Sequence, residues 1–247
     1  FIKGKGPIFS DSIIKNPGLE LKSQDAIKKL DYVFEATKLI KADINVPLIG
    51  FTGSPWTLFV YLFYGESPKN RNEIHDYLKL NSSKTHSYLK AMTEVMHDYV
   101  HAQIQSGANC IQIFDSWGGM LDSEYEEFSL MYINELAENI PSNIPVILFT
   151  RGKKIDSIIE STNINCFNLD ITDNIDHHID KSIVIQGNFD PRKFHSDADK
   201  LEELATQIFE KYKNKNNYIF NLGSGLTPDI DPEKVGIFLE KLSSLSS

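Results

Sequence analysis

From Val46 onward, short apolar runs alternate with longer amphipathic stretches, and each apolar run ends on a polar or glycine-rich stop. The runs are 47–51 (PLIGF) before TGSPW, 110–114 (CIQIF) before DSWGG, 146–149 (VILF) before TRG, 166–169 (CFNL) before DIT, 183–186 (IVIQ) before GNFDP, and 218–222 (YIFNL) before GSGLTP. Between them, over 86–106, 124–139 and 199–212, apolar residues recur at every third or fourth position, the period of a helix with one buried face. A further helix is predicted over 23–42, and residues 243–247 read as a frayed tail. The alternation predicts six βα units in series. Strands apolar on both faces and separated by helices imply a parallel sheet covered on each side, either doubly wound or closed into a barrel.

A nucleotide fingerprint would favour the doubly wound sheet, and none is present. Gly4-Lys5-Gly6 follows no strand, and Gly223-Ser224-Gly225 runs into Leu-Thr-Pro without a third glycine. The reading is therefore an α/β fold, a (β/α)8 TIM barrel with about six of its eight βα units visible. It occupies residues 1–247 as a single domain, with the N-terminal βα units expected ahead of Phe1. Barrel chemistry gathers where strands meet the loops that follow them, so the polar stops should ring one pocket.

Composition changes this picture in three places. Asp and Glu outnumber Lys and Arg by 34 to 25, which removes any general electrostatic reason to bind nucleic acid or an acidic membrane. An anionic substrate then requires local cations, and arginine, the better carboxylate fork, occurs only as Arg71, Arg151 and Arg192. Two cysteines, Cys110 and Cys166, sit in apolar runs that read as buried, so a disulfide framework is not expected and a reducing cytoplasm fits best. No apolar stretch reaches the roughly 18–20 residues of a bilayer span, and FIKGKGPIF lacks the apolar centre of a signal peptide, so neither membrane insertion nor secretion is expected.

Five strand-end motifs, taken together and in order, resemble the uroporphyrinogen decarboxylase family of haem biosynthesis. They are PLIGFTGSPWTLFVY (47–61), QSGANCIQIFDSWGG (105–119), PVILFTRG (145–152), the pair LDIT and QGNFDP (169–172 and 186–191), and IFNLGSGLTPDIDPEKVG (219–236). The resemblance covers essentially the whole chain. It implies a single (β/α)8 barrel, a homodimer, and a carboxy-lyase that needs no metal or cofactor. The implied reaction removes the four acetate carboxyls of uroporphyrinogen III as CO2, giving coproporphyrinogen III.

Three positions match the family's substrate contacts. Tyr61 falls on the family tyrosine that faces the substrate, and Ser116 on its pocket serine or threonine. Ser224 stands where the family has a histidine that contacts a substrate carboxylate; a serine donates one hydrogen bond but carries no positive charge, so anion binding there should be weaker. The family's arginine pair and catalytic aspartate correspond to sequence ahead of Phe1, so no catalytic residue is assigned within the chain, and the chain as given is expected to be inactive by itself. Losing CO2 from a pyrrole acetate requires the ring to be protonated as an electron sink, with a fixed carboxylate stabilising the cation. Asp115, Asp170 and Asp190, each at a predicted strand end, are the carboxylates that could face the pocket.

Plainer readings stand beside these. Tyr61 lies in an apolar helix and could be core, Ser116 could cap the helix after Phe114, and Ser224 between glycines could serve only a tight turn. Gly118-Gly119 and Gly223/Gly225 could admit backbone to the pocket or satisfy turn geometry. His97 and His101 have the i, i+4 spacing of zinc ligands but lack the HExxH glutamate, and read as a solvated helix face. Two other functions were weighed. Zinc-dependent corrinoid methyltransferases of the same barrel family need a His-x-Cys that this chain lacks, and a non-catalytic relative would keep the fold or the dimer surface without the chemistry.

Overall fold

A computed structural model describes residues 11–21, 26–68 and 72–246, so Gly4, Gly6, Arg71 and the first three residues of the 23–42 helix lie outside the described residues. Contacts divide the chain into two compact units, one ending at Ile164 and the other running from Asn165 to Ser247. Each holds three parallel strands.

In the first unit the strands are β1 (Ile49–Gly53), β2 (Cys110–Asp115) and β3 (Val146–Thr150). β2 lies between the others, with Ile49 opposite Cys110 and Ile111 opposite Val146. Helix α1 (Asp31–Asp43) precedes β1, and α2 (Pro55–Tyr64) follows it directly. The start of α2 is set by local chemistry. Ser54 Oγ accepts the Thr57 N–H at 2.9 Å, and Pro55 supplies the first helical φ without needing a hydrogen-bond partner. Its end is Gly65, whose positive φ of 72° lets its N–H reach Tyr61 O at 2.8 Å. α2 is apolar nearly all round and buries Trp56, Phe59, Val60 and Phe63.

Helix α3 (Asn72–Gln105) is longer than the predicted 86–106 because the apolar period continues back to Ile74 and Leu78, both buried. Its one break is Asn81, whose side-chain amide donates to Tyr77 O at 3.2 Å and stands in for lost helical pairing. Near its end Gln103 clamps β1: its carbonyl accepts the Phe51 N–H and its amide donates to Phe51 O, both at 3.0 Å. Gly50 makes room for this, since a Cβ there would lie 2.9 Å from Gln103 Oε1. The predicted 124–139 helix is a π-helical turn, Glu126–Leu130, running into α4 (Met131–Glu138).

The second unit has β4 (Cys166–Asn168), β5 (Val184–Gln186) and β6 (Tyr218–Ile219), with β5 in the middle. Helices α5 (Ala198–Tyr212) and α6 (Pro232–Leu245) pack their apolar faces around Phe189, Phe194, Leu201, Ala205, Ile230 and Phe238. Asp197 and Asp231 cap the two helices by accepting the N–H groups of Lys200 and Glu233 at 2.9 Å.

All six predicted strands are present, parallel within each unit, and four further details differ from the sequence reading. β3 to β4 and β4 to β5 are joined by loops holding 3-10 turns, Ile155–Ser157 and Ile175–His177, rather than by α-helices, because Thr162, Asp170 and Asn174 accept the N–H groups of Ile164, Thr172 and Asp176 and turn the backbone away from helical pairing. β1 is not covered on both faces: Gly50 and Thr52 are buried while Ile49 and Phe51 are 40% and 59% exposed. Cys110 is half-buried rather than buried, whereas Cys166 is buried. Residues 243–245 continue α6 instead of fraying. Among the described residues, no helix is long and apolar enough to cross a membrane.

Candidate active site

The C-terminal end of β2 and the start of α2 meet around one side chain. Asp115, the last residue of β2, has no exposed surface. Ser54 Oγ donates to Asp115 Oδ1 at 2.6 Å, and Thr57 Oγ1 donates to the same oxygen at 3.4 Å. Ser54 thus joins two functions, capping α2 through its lone pair and binding the carboxyl through its proton. Among the described residues, Oδ2 and the hydroxyls of Tyr125 and Ser129 make no hydrogen bond of strict geometry, yet those two hydroxyls lie close enough to the carboxyl to favour its charged form. Burial pushes the Asp115 carboxyl above the ordinary carboxylate range, and the surrounding hydroxyls of Ser54, Tyr125, Ser129 and Thr57 pull it partly back. Burial likewise raises the Tyr125 phenol, with the Asp115 charge adding to it.

From this centre the turn 116–119 is tied down atom by atom. Trp117 N–H donates to Thr57 Oγ1 at 3.3 Å, and Trp117 O accepts the indole N–H of Trp56 at 2.9 Å. Gly119 N–H donates to Arg151 O at 3.0 Å, and Arg151 N–H to Asp115 O at 3.2 Å, which joins the turn to the end of β3. The two glycines are required by packing. A Cβ on Gly118 would collide with Asp115 Oδ2, and one on Gly119 would lie 2.7 Å from Arg151 O.

Two of the three matched positions sit on this frame. Tyr61, on the last full turn of α2, packs its ring edge-on against Trp117 at 6.1 Å between centroids, and it is half-buried rather than core. Ser116, also half-buried, lies in the turn between Asp115 and Trp117 and not in a helix cap. The first unit therefore brings Tyr61 and Ser116 to one strand end.

Ser224 belongs to the second unit, half-buried in the bend after β6. That bend hangs on buried amides. Asn168 Oδ1 accepts from Gln186 Nε2 at 2.6 Å and from Asn221 Nδ2 at 3.0 Å, and Gly223 N–H donates to Phe189 O at 3.0 Å. Gly223 packs too closely for any side chain, since a Cβ would lie 2.7 Å from Ile171 N, whereas a Cβ on Gly225 would meet nothing within 4 Å.

The candidate carboxylates do not present a free acid. Asp115 is enclosed as described; Asp170 accepts the Thr172 N–H at 3.2 Å and shapes a turn. Asp190 is held by Arg192, whose Nη2 donates to Oδ2 at 2.6 Å, and this guanidinium keeps the carboxyl below its usual range. His97 and His101 are not merely solvated: their Nε2 atoms approach Glu135 O at 3.4 Å and Asn139 O at 3.1 Å, bridging α3 to α4. Ser54, Thr57 and Tyr125 were not singled out from sequence. The signal available for Ser54 was its place before proline at a helix start.

Comparison with known proteins gives the family. The family model for uroporphyrinogen decarboxylase matches residues 1–245. A protein named uroporphyrinogen decarboxylase from Francisella tularensis subsp. novicida is 38% identical over 259 residues, covering all of this chain and 75% of its own length. One of the same name from Hydrogenovibrio crunogenus is 38% identical over 261 residues, covering all of this chain and 73% of its own length. Among solved structures, a B12-independent methionine synthase from Shewanella sp. W3-18-1 aligns with a TM-score of 0.55 at 11% identity, over 86% of this chain and 65% of that one, a likeness of fold alone. The order of the strand-end motifs, the parallel βα architecture and the extent of the match agree, and the chain belongs to the uroporphyrinogen decarboxylase family.

Proposed function

We propose that this chain serves the decarboxylation of the four acetate side chains of uroporphyrinogen III to coproporphyrinogen III, in porphyrin and haem biosynthesis. The observation that carries the reading is the packing of Tyr61 against Trp117, the residue after Ser116, at the end of β2, on a frame fixed by Asp115. In this proposal Tyr61 and Ser116 contact the tetrapyrrole and hold it in one orientation, and Ser224 offers a neutral hydrogen bond to a substrate carboxylate. The reaction proceeds by protonation of a pyrrole carbon, after which the C–C bond to the carboxyl breaks and its electrons enter the ring. A second proton then adds to the exocyclic carbon to form the methyl group, and the ring loses the first proton to become a pyrrole again, so each acetate takes up one proton net and no electron acceptor is consumed.

Three companion proposals rest on the same family membership. The protein works as a homodimer, residues 1–247 form a single domain, and the chain resides in the cytoplasm, where Cys110 and Cys166 stay reduced. Light scattering gives the first, coincidence of unfolding transitions the second, and fractionation of the native host the third.

The central experiment is anaerobic incubation of the purified intact protein with uroporphyrinogen III, with products separated by carboxylate number after oxidation to porphyrins. Accumulation of hepta- to tetracarboxylate species supports the reading; unchanged octacarboxylate refutes it. Ser224→His then tests the third contact: tighter binding of uroporphyrin is expected, and an unchanged dissociation constant removes Ser224 from the site.

A further inference from the structure

We infer that Asp115 is a positioning residue for the substrate contacts: its buried carboxyl locks the start of α2 to the turn 116–119 and so fixes Tyr61 and Ser116 relative to each other. For its activity readout this rests on the decarboxylase reading above; for its conformational readout it does not.

The observations form a closed circuit. Thr57 N–H donates to Ser54 Oγ, and Ser54 Oγ–H donates to Asp115 Oδ1, so the carboxyl holds the residue that starts α2. Thr57 Oγ1 donates to the same carboxylate oxygen while accepting the Trp117 N–H, so a single hydroxyl ties the strand end to the turn. Trp56 Nε1 to Trp117 O closes the circuit from the helix side. Tyr61 rests edge-on against Trp117, and Ser116 is covalently between the two residues that the circuit holds.

A fully buried carboxyl is an expensive way to pin a turn, because desolvation costs several kcal/mol unless hydrogen bonds offset it. Here two hydroxyl donors, Ser54 and Thr57, converge on the carboxyl from one helix start, and Gly118 is kept without a side chain so that Oδ2 has room. The buried hydroxyls of Tyr125 and Ser129 lie near the carboxyl on its other side and favour its charged form. An apolar residue of the same size would fill the volume at lower cost but could not hold Ser54 and Thr57. Geometry of this kind governs rate, since a displacement of about 1 Å in a substrate-orienting group costs on the order of a hundredfold.

The test uses the intact protein and two independent readouts. Both tryptophans of residues 1–247, Trp56 and Trp117, belong to the circuit, so with any tryptophan outside that span replaced by phenylalanine, intrinsic fluorescence reports on it directly. Asp115→Ala should shift tryptophan emission to the red with far-ultraviolet circular dichroism retained. It should also lower kcat/KM for uroporphyrinogen by about ten- to a hundredfold per folded molecule. Asp115→Asn, which keeps an oxygen to accept from Ser54 and Thr57, should restore most of both. Wild-type emission together with wild-type kcat/KM in Asp115→Ala overturns the inference, as does a rate loss that Asp115→Asn fails to recover. Should Asp115→Ala not fold, Ser54→Ala removes the carboxyl's donor while leaving the carboxyl in place, and unchanged emission and turnover there overturn the inference equally. If the wild-type protein does not turn over uroporphyrinogen, the decarboxylase reading fails, and the emission of the same variants still decides the positioning role.

Discussion

Gly118→Ala is the smallest perturbation that should break this frame. A methyl group at that position would collide with Asp115 Oδ2 and lie 2.9 Å from both Asp115 Cγ and Tyr125 Cε2, none of which is the free end of a flexible chain, since Asp115 is fully buried and Tyr125 nearly so. Something must move, and the carboxyl is the group with a rotatable bond. Overpacking of this kind costs about 1–3 kcal/mol. Rotating the carboxyl away from Ser54 forfeits a hydrogen bond to a charged or partly charged group, worth about 1.5–3 kcal/mol. The expected loss is therefore about 3–5 kcal/mol, a large share of the roughly 5–15 kcal/mol that stabilises a typical domain. Urea unfolding followed by tryptophan emission measures it in the right place, because both tryptophans lie in the first unit beside the substituted turn. A double-mutant cycle sharpens the test. Asp115→Ala vacates the space that the new methyl needs, so Gly118→Ala made in that background should cost less than in the wild type, by more than about 1 kcal/mol. A loss under about 1 kcal/mol in the single variant, or strict additivity in the pair, would refute the packing argument.

Three further outcomes follow from features outside the site. Phe238, fully buried among Phe189, Phe194 and Phe220 where α6 meets the second unit's sheet, should cost about 3–5 kcal/mol when replaced by Ala, seen as a lower urea midpoint by circular dichroism. A midpoint within error of wild type would show that the α5–α6 layer is not what holds that unit. Asp190 is held below its usual range by Arg192, so its contribution is fully present above the ordinary aspartate pKa and is lost as pH falls through the folded value. Asp190→Asn should accordingly lower stability near about pH 7 but not near about pH 2, and a gap that stays constant across that range would remove the ion pair from the acid response. Burial pushes the Cys110 thiol up to about 11, so native protein should react slowly with a thiol reagent at about pH 8, and labelling at the rate of a free cysteine would contradict the burial of that strand end.

Much of the architecture was readable from pattern because its cause is local. Alternation of apolar run, polar stop and amphipathic stretch follows from a strand buried in a sheet and a helix lying on it, and each of the six strands lies at its expected place in the chain. The two connections without α-helices, after β3 and β4, were not readable, because Ile155, Ile158 and Ile159, and Ile171, Ile175, Ile179 and Ile183, recur at helical spacing while Thr162, Asp170 and Asn174 take local backbone N–H groups into turns instead. The exposed side of β1 was not readable either. Ile49 and Phe51 are as apolar as buried strand residues, and only the packing of neighbouring elements decides whether such side chains are covered.

The site divides along the same line, and Asp115 shows where more could have been extracted. A strand alternates its side chains between faces, so Asp115 continues the face of Ile111 and Ile113, both fully buried, while Ser116 would continue that of Gln112 and Phe114. The phase alone assigns the aspartate inward and separates it from the serine beside it, even though the two adjacent polar residues looked alike as a stop signal. What the phase cannot supply is the partner. Ser54 is 61 residues away, and its hydroxyl meets the carboxyl because β1 and β2 pair with Gly53 opposite Phe114, which brings the residue after one strand to the residue ending the other. A buried charge is tolerable only when such a register delivers donors to it, and here the register also delivers Tyr61, about two turns further along the helix that Ser54 begins. The proposed substrate contacts of this unit are thus placed by strand pairing acting through one carboxyl, and a one-residue slip of β1 against β2 would separate Ser54 from Asp115 and carry Tyr61 away from the turn that holds Ser116.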